Sequence, residues 1–381
     1  MPDFDAIVVG VGGMGSATLY HLARRGIRAL GIERYGIPNE MGSSLGISKM
    51  IRLTYHEHPS YVPLVRRAYE LWHQLENSQG ERLLVTTGSL RGGTEDSSMF
   101  QGSREACEIH NIPCELLSGP EVNRRYPGYQ LPEDVVAVYQ PDGGFLLSER
   151  CIIAHVDGAI ELGAEVHGRE RVLAWEATGE GARVETDRAD YTCRNLVFCA
   201  GAWTAAMVPE LSDWAIPERQ VLAWFLPSRP ELFRPDRFPV FGLELDEGRF
   251  YGFPSYGVPG FKVGRYHHLC QNVDPDTMNR EATAEDEELL RDFTRRYFPL
   301  ADGPILALKT CMFTNSPDGH FLIDVHPQFP QVSFAAGFSG HGFKFCSVVG
   351  EIMTDLVQSG ETSHDLDLFR LSRFQGAKEQ S

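Results

Sequence analysis

The 381-residue chain is short of basic charge: 35 Lys and Arg stand against 52 Asp and Glu, a formal net charge of −17 at pH 7. Such a field repels polyphosphate and anionic lipid, so binding to nucleic acid or to a membrane surface is not expected. No apolar run reaches membrane-spanning length, and a strand begins by Phe4 without a basic segment and apolar stretch ahead of it. A cytoplasmic protein is therefore expected. The eight cysteines include no CxxC pair, which removes a zinc ribbon or a redox dithiol from consideration. The thirteen histidines include no HExxH, and His56-Glu57-His58, beside Pro59 in a polar stretch, reads as an exposed loop. No metal site is expected. Internal repeats and low-complexity tracts are also missing, apart from a tail after about Gln375 that is expected to be disordered.

What is present begins at once. The apolar run Asp5 to Val9 enters Gly10-x-Gly12-x-x-Gly15, an apolar-periodic segment follows through Leu19 and Leu22, and a second apolar run, Ala29 to Ile32, ends on Glu33. This is the βαβ dinucleotide fingerprint. Gly10 permits the tight turn, Gly12 lets a pyrophosphate approach the backbone, and Gly15 lets the helix pack on the strand. The helix N-terminus supplies N–H groups and positive dipole. Glu33 is placed to hold ribose hydroxyls and disfavours a 2′-phosphate, which leaves FAD and NAD. The small-residue loop through Ser43, Ser44 and Ser48 closes on Lys49 and Arg52 and can bring N–H and hydroxyl donors to phosphate oxygens.

The chain is long enough for two cores. Helical spacing runs from Tyr61 to Leu75, from Ser103 to His110, from Ser148 (a candidate cap) to Gly163, from Glu285 to Phe298, and through Val348 to Leu356. Short strands are expected at Val85 to Leu90, Val166, Val172 to Trp175, Arg183 to Thr186 and Leu196 to Cys199, the last opening into a small-residue turn at Gly201. Arg219 to Phe225, Val240 to Leu245, Phe250 to Pro254, Phe261 to Val263 and Leu306 to Phe313 suggest a second, mostly antiparallel sheet, and Phe321 to Val325 and Val332 to Ala336 are strand-like again.

Several ordered blocks go further: Tyr61 to Leu64, Tyr251 to Ser255, Asp274 to Arg280, Lys309 to Thr314, His320 to Pro327 and above all Gly337-Phe-Ser-Gly-His-Gly-Phe-Lys344. With the N-terminal fingerprint they resemble the monomeric sarcosine oxidase and N-methyltryptophan oxidase family of flavoenzymes over nearly the whole chain. The resemblance implies an α/β (α+β, two-domain) fold, with a glutathione-reductase-type FAD-binding domain at 1–85, 145–215 and 320–381 interleaved with an antiparallel-sheet substrate domain at 86–144 and 216–319. It implies FAD tethered to the sulfur of Cys311 and held by Gly10, Gly12, Gly15, Glu33, Arg34, Ser43, Ser44, Ser48, Val172, Gly201, Met312, Phe338, Gly340, His341, Gly342 and Lys344. Arg52 and Lys344 would pair with a substrate carboxylate, and Tyr251, Lys49, Lys262 and a histidine would stand at the reacting centre, with Lys262 serving oxygen.

Three departures from the family pattern stand out. Lys49 replaces an arginine, Phe313 replaces a tyrosine, and one additional residue between Lys262 and Asp274 leaves the active-site histidine as His267 or His268, with His267 preferred. The activity implied is oxidation of a small secondary or N-methyl α-amino acid, with O2 reduced to H2O2, by a monomer whose partners are that substrate and O2. An oxidase of cyclic or glycated amino acids, an NAD dehydrogenase and a flavin-binding subunit without turnover are the competing readings.

Overall fold

The computed structural model describes residues 1–374, so the expected tail after Gln375 lies outside the described residues. The fold is a mixed α/β arrangement of two eight-stranded sheets and a three-stranded one. In the first sheet Phe4–Val9 lies between Ala29–Glu33 and Asp190–Phe198, parallel to both. Alternation along this strand decides the two faces. Ala6 and Val8 join the core beneath the helices Gly13–Arg24, Tyr61–Gln79 and Cys346–Ser359, while Ile7 and Val9 join a core on the other side with Val184, Leu196 and Phe334. With both faces buried, the strand reads as a continuous apolar run from Ala6 to Val9.

The second sheet runs Ile305–Asn315, Ile216–Phe225, Phe261–Arg265, Gly248–Phe253, Val240–Leu245, Ser89–Gly93, Val136–Gln140, Glu115–Ser118. All its pairings are antiparallel except Ser89–Gly93 with Val240–Leu245. Its core is aromatic, with Phe225, Phe241, Phe250, Phe261 and Phe298 buried together. The helix Ala284–Tyr297 covers it, stacking Phe293 on Phe250 with centroids 3.8 Å apart, and starts in a capping box formed by Thr283 and Asp286.

The chain crosses between the sheets repeatedly, since the first draws on residues 4–33, 165–198 and 322–336 and the second on 89–140 and 216–315. A small sheet of Ser48–Ile51, Gly144–Leu147 and Leu84–Thr86 joins them. Its Leu146 packs into the first core, whereas Phe145 and Leu147 pack with Val240 and Phe253 of the second sheet.

Two local expectations change. The stretch Val85 to Leu90 is two strands, because Gly88 at φ +76° turns the chain between Leu84–Thr86 and Ser89–Gly93. Ser148 is not the cap of its helix but its first residue, with Leu147 at the cap position and the Ser148 hydroxyl donating to the Glu149 carboxylate.

Candidate functional site

A cavity of about 310 Å³ opens where Phe4–Val9 ends, lined by Val9 to Met14, Ile32 to Tyr35, Gly42 to Ser44, Lys49, Val172, Ala200 to Trp203, Phe313, Thr314, Gly337 to Gly340, Gly342, Phe343 and Cys346, among others. The glycines at its head are sterically required. A Cβ on Gly15 would stand 1.7 Å from the Gly10 carbonyl, and one on Gly10 would stand 2.6 Å from that of Cys199. A Cβ on Gly12 would instead point toward open space, with Ser44 Oγ the nearest atom at 3.8 Å. The helix behind it has no acidic residue in its first turn, so its N-terminus favours an anion.

Glu33 borders the cavity with its carboxylate accepting from the backbone N–H groups of Val11 and Tyr35, both at 2.9 Å. Burial pushes its pKa up while those donors hold it down. Arg34 and the Trp203 indole both donate to Asp276 at 2.6 and 2.7 Å, closing that end.

The cavity also meets two cations, Lys49 in its lining and the buried Lys262 near it. Lys49 Nζ donates to the Ser43 carbonyl at 3.0 Å. Lys262 is deeper, donating to the carbonyls of Gly46 (2.6 Å) and Ser48 (2.7 Å) and to Ser48 Oγ (3.2 Å), with the Phe253 ring 4.3 Å away. Burial and then the charge of Lys49 pull its pKa well below the ordinary lysine range, whereas the two carbonyl acceptors favour the ammonium form. Cys311 is buried among Leu45, Leu222 and Trp224. Burial raises its thiol pKa, and Lys49 and Lys262 pull it back. Phe313, two residues along the same strand and so on the same face, lines the cavity.

Beyond the cavity lies a second cationic cluster. Arg52 is 1 % exposed, Lys344 4 % and Arg91 0 %. Arg52 donates to the Thr54 carbonyl at 2.6 Å and to both oxygens of Glu57 at 2.9 Å, and it stacks over Tyr55 with its guanidinium 4.5 Å from the ring. Lys344 Nζ donates to the His341 carbonyl at 2.6 Å and sits 5.2 Å from the same Tyr55 ring. Against the cost of burial, Arg52 and His56 hold the Glu57 carboxyl well below the usual carboxylate range. Burial pulls Lys344 well down, and neighbouring Arg52 adds to the effect.

Several expected site residues therefore converge and others do not. Gly10, Gly12, Glu33, Arg34, Ser43, Ser44, Lys49, Val172, Gly201, Phe338, Gly340 and Gly342 line the cavity. Gly15 packs helix on strand, Ser48 holds Lys262, and Met312, on the opposite face from Cys311, is buried with Ala202 and Met278. His341 turns away from the cavity, gripped by the Tyr55 hydroxyl at 2.6 Å and the Gly319 carbonyl at 3.0 Å, and burial drops its pKa to about 3.

The preferred histidine is a correction. His267, at φ +54°, has a side chain 55 % exposed that pairs with Glu218 at 2.7 Å, and His268 is buried against Asp286 at 2.9 Å. The residue turned inward is Tyr266, whose ring is 5.0 Å from Tyr251 and 5.8 Å from Phe313.

His56 and Glu57 correct a second expectation. The stretch read as an exposed loop is drawn inward at His56 and Glu57 because Arg52 and Arg91 need partners there. Arg91 and Tyr266 went unread for the same reason: a charge or phenol inside a strand pattern has no sequence signature until its neighbours are known.

Residues 5–356 match the family model described as FAD dependent oxidoreductase. The chain is 40% identical over 376 residues to a monomeric sarcosine oxidase of Bacillus sp. (strain NS-129), covering 97% of each. It is 32% identical over 376 residues to an N-methyl-L-tryptophan oxidase of Escherichia coli O139:H28, covering 98% of this chain and 100% of that protein. In fold it is similar to L-proline dehydrogenase from P. horikoshii, with a TM-score of 0.86, 22% identity and 99% of both chains covered.

Proposed function

The chain belongs to the FAD dependent oxidoreductase family, and from that premise we propose that it oxidises a small secondary or N-methyl α-amino acid with O2 as electron acceptor. The residues present fit the cofactor. The open approach at Gly12, the helix N-terminus free of acids and the buried Glu33 suit an adenine dinucleotide, and Gly337, Gly340 and Gly342 line the same cavity, where their lack of a Cβ lets Leu322, Phe313 and Phe338 pack close. Bound there, FAD supplies a two-electron acceptor for a hydride from the carbon beside the amine nitrogen and passes the pair to O2, giving H2O2.

The chain's own residues do the rest. Arg52 and Lys344 bind the substrate carboxylate, and this pair of buried cations beside the cavity is the observation that carries the reading. Glu57 takes only Nη2 of Arg52, whose Nε has no hydrogen-bond partner, so a substrate carboxylate binds beside Glu57. Tyr251, Tyr266 and Phe313 form an aromatic wall that keeps water from the reacting carbon. A neutral amine is required, since its lone pair stabilises the positive charge left on carbon. The imine then takes up water and separates into an aldehyde and a primary amine.

Lys262 stabilises the negative charge that develops on oxygen, and Cys311 carries a thioether to the flavin. The reading includes a monomeric protein in the cytoplasm, in keeping with the −17 net charge. Two assays test it. Sarcosine, N-methylalanine, proline and pipecolate are offered anaerobically, and loss of the oxidised flavin absorbance with the N-methyl compounds is expected, while bleaching by none of them overturns it. Acid-precipitated protein is expected to stay yellow and Cys311→Ala to release its flavin; a white wild-type pellet refutes the tether alone.

A further inference from the structure

We propose that the substrate carries a second acidic group on its side chain and that Arg91 binds it, so that the preferred substrate is an N-methyl or other secondary amino dicarboxylate. This rests on the amine-oxidase reading and narrows it. Arg91 lies in Ser89–Gly93 and is completely buried. Its contacts are the Met50 sulfur at 3.9 Å and His56 Nδ1 at 3.1 Å, and its Nε has no hydrogen-bond partner. Among the described residues no carboxylate forms a salt bridge with it, although an unpaired buried charge is costly.

The position is built for the guanidinium. Gly242 is the register partner of Arg91 across the parallel pairing, and a Cβ there would stand 1.6 Å from an Arg91 terminal nitrogen. Glycine at that point leaves the space that the charge fills.

The location is equally specific. Arg52 approaches the same His56 nitrogen at 3.2 Å, so the two guanidinium groups are neighbours across one imidazole atom. Tyr266 lies close enough to both to feel their charges and touches Phe313, which lines the cofactor cavity. Arg52, Arg91 and Lys344 are thus three buried cations, and among the described residues the one acid in a salt bridge with any of them is the half-buried Glu57, on Arg52. A monocarboxylate leaves one cation unbalanced. Two substrate carboxylates together with Glu57 balance all three, and an arginine fork suits a carboxylate better than a lysine does.

The test uses the wild-type flavin-loaded enzyme with N-methylaspartate and N-methylglutamate, each against its side-chain amide, N-methylasparagine and N-methylglutamine, and against sarcosine. At least one acid is expected to exceed its amide in kcat/KM by roughly tenfold to a hundredfold or more, the range of a charged hydrogen bond. Arg91→Gln is expected to bring that ratio close to one. Wild type that handles the amides or sarcosine as well as both acids overturns the proposal, as does an Arg91→Gln protein with the ratio unchanged. Should Arg91→Gln fail to fold, wild-type binding of glutarate and succinate against butyrate, followed by the shift in flavin absorbance, decides: equal or weaker binding of both diacids overturns it. If no N-methyl compound bleaches the flavin, the amine-oxidase reading falls, while the diacid comparison still judges Arg91.

Discussion

Lys262 and Lys344 are both buried ammonium groups, yet their surroundings give them different work. Lys262 donates to two backbone carbonyls and a serine hydroxyl near Cys311 and, among the described residues, forms no salt bridge with a carboxylate, so its charge is available to developing charge on oxygen. Lys262→Met is expected to slow aerobic reoxidation of reduced enzyme by about a hundredfold or more in stopped flow, with anaerobic reduction changed less. Unaltered reoxidation removes it from that role. Lys344 is expected to reveal itself through pH. Burial lowers its pKa, so it loses its proton, and with it the attraction for a carboxylate, as pH rises through a value below the ordinary lysine range. The dissociation constant of a simple carboxylate such as butyrate, which has no amine to titrate, is expected to rise on the alkaline side by up to ~tenfold per pH unit, since one proton is linked to binding. Lys344→Arg is expected to remove that limb.

Where elements meet, the glycine fingerprint does mechanical work before it does any binding. The helix Gly13–Arg24 touches the turn after Phe4–Val9 so closely that Gly15→Ala must push the helix away, since its Cβ would meet backbone that cannot step aside. A loss of roughly 1–3 kcal/mol of stability is expected from such overpacking, together with weaker retention of flavin, measurable by denaturant unfolding and by the absorbance ratio of flavin to protein. Unchanged values of both would mean that the helix is free to shift. This contact was legible in the sequence because its cause is local: strand, glycines and helix are contiguous. So was the second sheet, whose strands are written in apolar spacing a few residues long. The inward turn of His56 and Glu57 was not, since it depends on Arg91, which reaches them from another strand. Tyr266 was hidden because its inward direction is seen only in its contacts with Tyr251 and Phe313 on other strands, which leave no mark in the local spacing.

Taken as a whole, the molecule sets a strongly acidic exterior against a buried site with three cations and one acid. The exterior repels anions, so any preference for an amino acid over a plain amine must come from the interior. That preference is the central claim, and one measurement reaches it most directly: anaerobic titration of the flavin-loaded enzyme with an N-methyl amino acid and, separately, with its methyl ester and its decarboxylated amine, following the oxidised flavin absorbance. Bleaching by the acid at concentrations at least ~tenfold lower than by the ester or amine is the expected result, with the gap narrowed in Arg52→Ala and Lys344→Ala, because each lost charged hydrogen bond removes about 1.5–3 kcal/mol. Equal bleaching by acid, ester and amine in the wild type would contradict the account.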